Sequence, residues 1–128
     1  MEELLRKLDN DIYCSTINKM DINLLNKEIV FDLSLIDDTV TNHVLKFVGC
    51  SSVLWIEKME DEIPSYNISN WDYYEITSID IQKYSAKSED KWLKKYPLEY
   101  NVVIEIWDSA LLIKAEEIII DQQKYSIP

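Results

Sequence analysis

Glycine is almost absent from this chain: Gly49 stands alone among 128 residues. Loops that cradle phosphates or dinucleotides need several glycines together, because the backbone itself must approach the ligand. Enzymes of those classes are therefore excluded. Histidine is equally scarce, with His43 the single example, and Cys14 and Cys50 form no Cys-x-x-Cys pair. That donor set does not complete a zinc tetrad, so no metal and no other cofactor is expected. No apolar run approaches the roughly 20 residues that span a bilayer. The start, Met1 to Asp9, interleaves charges with leucines instead of placing a basic patch before an apolar stretch, unlike a secretion signal. A cytoplasmic protein with both thiols free is the expectation. Positive charge is also in short supply. Thirteen Lys and Arg face 24 Asp and Glu, for a net charge of −11. Such a surface repels nucleic-acid phosphates and anionic lipids, and it attracts basic ligands and speeds their encounter.

What is present is apolar and aromatic. Hydrophobic residues make up 47% of the chain, with four Trp and eight Tyr, which argues against disorder. The length suits one domain, residues 1–128. Glu2 to Leu8, with leucines at 4, 5 and 8, predicts a short helix. Ile12 to Ile22 has β-formers with imperfect alternation. Ile29, Phe31, Leu33 and Leu35 then alternate with polar residues over 28–36, the mark of a strand with one buried face. Asn26-Lys27 offers a turn that pairs the two as a hairpin. Asp37 to Asn42 reads as a loop. Within His43 to Glu57, Gly49-Cys50-Ser51-Ser52 predicts a bend between strands 44–48 and 53–57.

In 71–84 the alternation changes phase near Ser78, as at a bulge. Ser88 followed by Glu89 and Asp90 looks like a helix start, with Pro97 as its stop. Strands at 100–107 and 111–120 are joined at Asp108-Ser109-Ala110. The tail from Gln122 is polar and predicted to fray. The predicted core is Ile29, Phe31, Leu33, Leu35, Val44, Phe47, Val53, Trp55, Ile104, Ile106, Leu111, Ile113, Ile118 and Ile120. The fold class that results is mainly β, a single antiparallel sheet packed as a sandwich with a short N-terminal helix.

Candidate chemistry is sparse, and no catalytic residue is expected. His43, near Asp37 and Asp38, has the make-up of a general base, which keeps a hydrolase as one alternative. Cys50 with His43 fails as a nucleophile pair: seven residues of extended strand separate them by roughly 23 Å. The acids Glu57, Glu60, Asp61 and Glu62 lack the spacing and central glycine of a calcium loop. They suit a solvated loop or a contact with a basic protein. Trp71, Asp72 and Tyr73 adjoin that loop, and exposed aromatics beside acids are good interface anchors. These seven residues are the expected partner-binding set. An aromatic groove for a small ligand, such as a carbohydrate, would show the same composition.

Three stretches, "NKEIVFDLSLID", "HVLKFVGCSSVLWIE" and "NVVIEIWDSALLIKAEEIII", resemble the YxiG-like group of small bacterial proteins. The likeness lies in a strand ending in Phe47-Val48-Gly49-Cys50-Ser51, a second aromatic-rich strand, and a closing hairpin of alternating Ile, Ala and Glu. The group includes proteins similar to the immunity proteins that accompany polymorphic toxins. The resemblance implies a cytoplasmic, non-enzymatic binding protein, one that neutralises a toxin domain. It brings no catalytic site.

Overall fold

The computed structural model describes residues 1–57, 73–84, 91–96 and 99–128. Helix α1 spans Glu2–Lys7, its acids in the first turn and its bases in the last, as the helix dipole favours. It runs on into one π-helical turn, Leu8–Ile12. Leu4, Leu8 and Ile12 make a single fully buried stripe along this segment.

Nine strands follow among the described residues: β1 Thr16–Asn23, β2 Glu28–Ile36, β3 Val40–Val48, β4 Ser52–Ile56, β5 Tyr74–Ile81, β6 Val102–Ile106, β7 Ser109–Lys114, β8 Glu117–Ile120 and β9 Gln123–Ser126. All their pairings are antiparallel. They join in one sheet, in the order β4-β7-β6-β5-β1-β2-β3-β8-β9. The mainly β antiparallel class and the short helix are as the sequence predicts. The sandwich differs in one respect: its two layers are halves of the same hydrogen-bonded sheet, turned over a shared core.

The turn is made at two corners. At one, β3 and β4 are successive parts of a chain bent at Gly49-Cys50-Ser51, and they pair with β8 and β7, bent at Ala115-Glu116. The ladder continues round this bend. The Glu116 N–H donates to the Val48 carbonyl and the Ser51 N–H to the Lys114 carbonyl, both at 2.9 Å. Gly49 sits at φ +68°, in the left-handed region, and a Cβ there would fall 2.6 Å from Glu116 Oε2. Buried Asn101 holds the inner strand. Its Oδ1 accepts the Ala115 N–H at 2.9 Å, and its Nδ2 donates to the carbonyls of Ala115 and Pro128.

At the second corner β1 meets β5, through Thr16↔Glu75 and Ile17↔Tyr74 among the described residues. A bulge there lets Cys14 N–H donate to the Ile76 carbonyl while Ile76 N–H donates to that of Ser15.

Inside lie Ile29, Phe31 and Leu33 of β2, Leu45 and Phe47 of β3, and the facing Ile104, Leu111 and Ile113. Phe31 and Phe47 meet edge to face, centroids 6.2 Å apart. A second cluster covers the outside of β4, β7 and β6, where Trp92 and Leu93 pack on Val103, Ala110 and Leu112. Two buried faces explain why β6 and β7 read as nearly continuous apolar runs.

Several expectations need correction. Val44 is 45% exposed, because the register Phe31↔Leu45 and Ile29↔Phe47 turns odd-numbered residues of β3 inward. Leu35 and Val53 are only half-buried. Thr41 and Asn42 belong to β3 and not to a loop, and the run 111–120 is two strands broken at the bend. The tail does not fray; it forms β9 against β8. Of the helix expected from Ser88 to Pro97, both ends lie outside the described residues, and Leu93–Lys95 is a single 3-10 turn. Cys50 is buried as expected, whereas Cys14 is exposed; both are free.

Candidate functional site

Past Ile17, no described residue pairs with the outer edge of β1. Asn18–Asn23 are six residues in succession that are all exposed. β4 is the terminal strand of the other half-sheet among the described residues. A groove of about 330 Å³ runs between them, lined by Ile17, Lys19 and Met20 of β1, Trp55 of β4, Tyr74 of β5 and Ile106 of β6.

The side chains here point toward the core but lie beyond its end. Met20 pairs with Phe31, so the two share a face, yet Phe31 is fully buried and Met20 is 40% exposed. Trp55 follows the inward phase of Val53 and is 44% exposed, which corrects its expected place in the core. Tyr74 is 56% exposed. Beside it, Tyr73 packs edge to face on Trp107, centroids 5.9 Å apart. Trp107 occupies the two-residue turn between β6 and β7 at φ +55°. This is a position for glycine, and the indole is held there by its burial.

Electrostatics around the groove are unbalanced. Lys19 is engaged by Asp21 at 3.3 Å, and on the neighbouring strands Lys46 by Glu28 at 3.3 Å. Glu57, one residue beyond β4, and Asp108, beside Trp107, are in no ion pair among the described residues. Of the expected partner-binding set, Glu57 lies two residues beyond Trp55 and Tyr73 next to Tyr74, and both of those neighbours line the groove. Glu60, Asp61, Glu62, Trp71 and Asp72 lie outside the described residues. Sequence reasoning missed Met20, placed Trp55 in the core, and left Tyr74 out of the partner-binding set. Their signal was an aromatic or thioether side chain near a strand end, where burial is decided by strands distant in sequence.

His43 finds a different carboxylate from those expected. Its Nδ1 donates to Asp121 Oδ2 at 2.6 Å, and its Nε2 lies 3.3 Å from Thr41 Oγ1. Asp37 and Asp38 take no part. A carboxylate, an imidazole and a hydroxyl in series have the order used in acid–base catalysis. The remaining bonds of Asp121 are those of a strand clamp. Its Oδ1 accepts the Val44 N–H at 2.8 Å, and its own N–H donates to the Val44 carbonyl at 3.0 Å. Partial burial raises the Asp121 carboxyl, but the bonds from His43 and Val44 and the charges of His43 and Lys7 outweigh it and hold the group below its ordinary range. Burial, aided by the Glu28 charge, pushes the Cys50 thiol up to about 11, which disfavours the thiolate that a nucleophile requires.

Among the described residues no cluster of His, Cys, Asp and Glu could hold a metal ion, and no helix is long and apolar enough to cross a membrane. No curated protein matches the chain. The YxiG-like protein family matches residues 4–125, nearly the whole sequence, and the chain belongs to that family.

Proposed function

We propose that this protein is a non-enzymatic binding protein whose partner is a basic protein, in the manner of an immunity protein that neutralises a toxin domain. The observation that carries the reading is the groove. Met20, Trp55 and Tyr74 stand exposed together on a chain of net charge −11. Large aromatics that lose water on contact supply most of the affinity at protein interfaces. Acids around them steer a cationic partner and raise its association rate. Glu57 and Asp108, in no ion pair among the described residues, would serve this role.

A second reading rests on the same aromatics. A small ligand such as a carbohydrate would stack on Trp55 and Tyr74, and about 330 Å³ is at the small end for such a pocket. Salt separates the two, because a neutral ligand is insensitive to the screening that slows a charged protein.

The test is co-expression with the toxin-like protein encoded beside its gene, followed by binding across a salt series. Survival above the empty-vector control, with association that slows as salt rises, is the expected result. Survival no better than the control, with no complex at low salt, overturns the immunity reading.

A further inference from the structure

We infer that two copies of this chain meet face to face through the outer surface of β2, β3 and β8, as a weak two-fold dimer. The contact is independent of the groove, and its failure leaves the binding reading standing. Every break in the described residues adjoins β4, β5 or β6, so this face is built wholly from described ones.

Register decides which side chains make the face. Ile29, Phe31 and Leu33 turn inward, so Val30, Asp32, Ser34 and Ile36 turn out. On β3 the outward set is Val40, Asn42, Val44 and Lys46, and on β8 Ile119 lies opposite Lys46. β3 is the central strand of the half-sheet β1-β2-β3-β8-β9, and Val44 stands at its middle, 45% exposed. Ile36 and Val40, paired at one end, are more exposed still. Val30 and Ile119, half-buried on either side of Lys46, complete the apolar area.

The polar groups of this face answer one another. Asn18 Nδ2 donates to Ser34 Oγ at 2.7 Å, and the Ser34 hydroxyl donates to Asn42 Oδ1 at 2.8 Å, a chain across three strands. Lys46 holds Glu28 at 3.3 Å. Lys19 holds Asp21 at 3.3 Å and lies opposite Asp32 in register. Polar groups already bonded lose their water at low cost, which suits a surface that becomes covered.

Charge selects the occupant. Lys19, Lys46 and Lys124 stand against Asp21, Glu28, Asp32 and Glu117, close to balance on a chain of net charge −11. A cationic partner gains little from acids that are already paired. A second face of the same make-up sets apolar against apolar and both signs against both. Area sets the strength. β2 and β3 are nine residues each. With the shorter β8 and β9 beside them, the face offers about 500 Å² per copy, so a pair covers roughly 1,000 Å², the lower limit for a specific interface.

Sedimentation equilibrium of the full chain, from about 10 µM to about 1 mM, measures the association. The expected dissociation constant is on the order of 100 µM at physiological salt. It is expected to tighten by about threefold or more between about 50 and 500 mM salt, because two chains of like net charge repel and salt screens them. A cationic partner at the groove has the opposite salt dependence. Val44→Lys lowers the net negative charge, which alone favours association, but it places a cation at the centre of the contact. The variant is expected to keep a melting temperature near wild type and to weaken the dimer by at least about tenfold. Methyl chemical shifts of the wild-type chain need no variant, and those of Val30, Val44 and Ile119 are expected to move with protein concentration. A chain that stays monomeric at about 1 mM in high salt overturns the dimer. So does association that salt weakens, association that Val44→Lys leaves unchanged, or shifts confined to other residues.

Discussion

The two corners of the sheet are built from the same kind of strand and end differently. At the Gly49 corner both strands of a ladder bend together, and a buried asparagine supplies the bonds that the bend disrupts. At the β1–β5 corner two residue pairs hold among the described residues, and a groove lies beside them. The first corner is finished as structure. The second leaves a tryptophan and a tyrosine exposed beside a groove, which is the condition of a surface that something else completes.

Met20 and Phe31 give the sharpest way to break that comparison, since they face one another in register. Phe31→Ala empties a fully buried site against Phe47 and is expected to cost about 3–5 kcal/mol. Met20→Ala removes a side chain largely in water and is expected to change stability by less than about 1 kcal/mol. Urea unfolding of both variants checks it, and similar losses would mean that the β1 half of the groove is core.

Asn101 probes the finished corner. Asn101→Ala leaves the Ala115 N–H buried without its acceptor, at an expected cost of about 1–3 kcal/mol. A loss near zero would show that the bend holds without it.

A smaller effect is expected at acid pH. Asp121 is held below the ordinary carboxylate range, so it binds a proton less readily folded than unfolded. Its contribution is complete above the unfolded value, roughly 3.9, and is lost as pH falls through the lower folded value. The difference in unfolding free energy between wild type and Asp121→Asn is therefore expected to shrink below about pH 4. A difference that stays constant through that range would remove the clamp from the account.

The same contrast governs what the sequence disclosed. β2 was legible because its alternation is complete over nine residues, and the bend because a lone glycine and two serines interrupt an apolar run. The phase change near Ser78 is a bulge, as the pattern indicated, with the register shift between Ile76 and Ser78. β9 was hidden for a physical reason. Asp121 and Gln122 both take positive φ, 48° and 77°, in a tight hairpin turn normally announced by Asn-Gly or Asp-Gly. The groove was hidden more deeply. Trp55 has the phase of a core residue, and it is exposed in a groove whose other walls come from strands far away in sequence. Asn101 gave no signal beyond its position before an apolar strand.

The central claim is that the groove at the β1–β5 corner is the binding surface, and a Trp55→Ala, Tyr74→Ala double variant tests it most directly. Both side chains are exposed, so the variant is expected to fold with a melting temperature close to wild type. Co-expressed with the adjacent toxin-like protein, it is expected to lose protection and to bind at least about tenfold more weakly, as loss of interface anchors requires. A folded double variant that protects and binds as well as the wild-type chain would contradict the account.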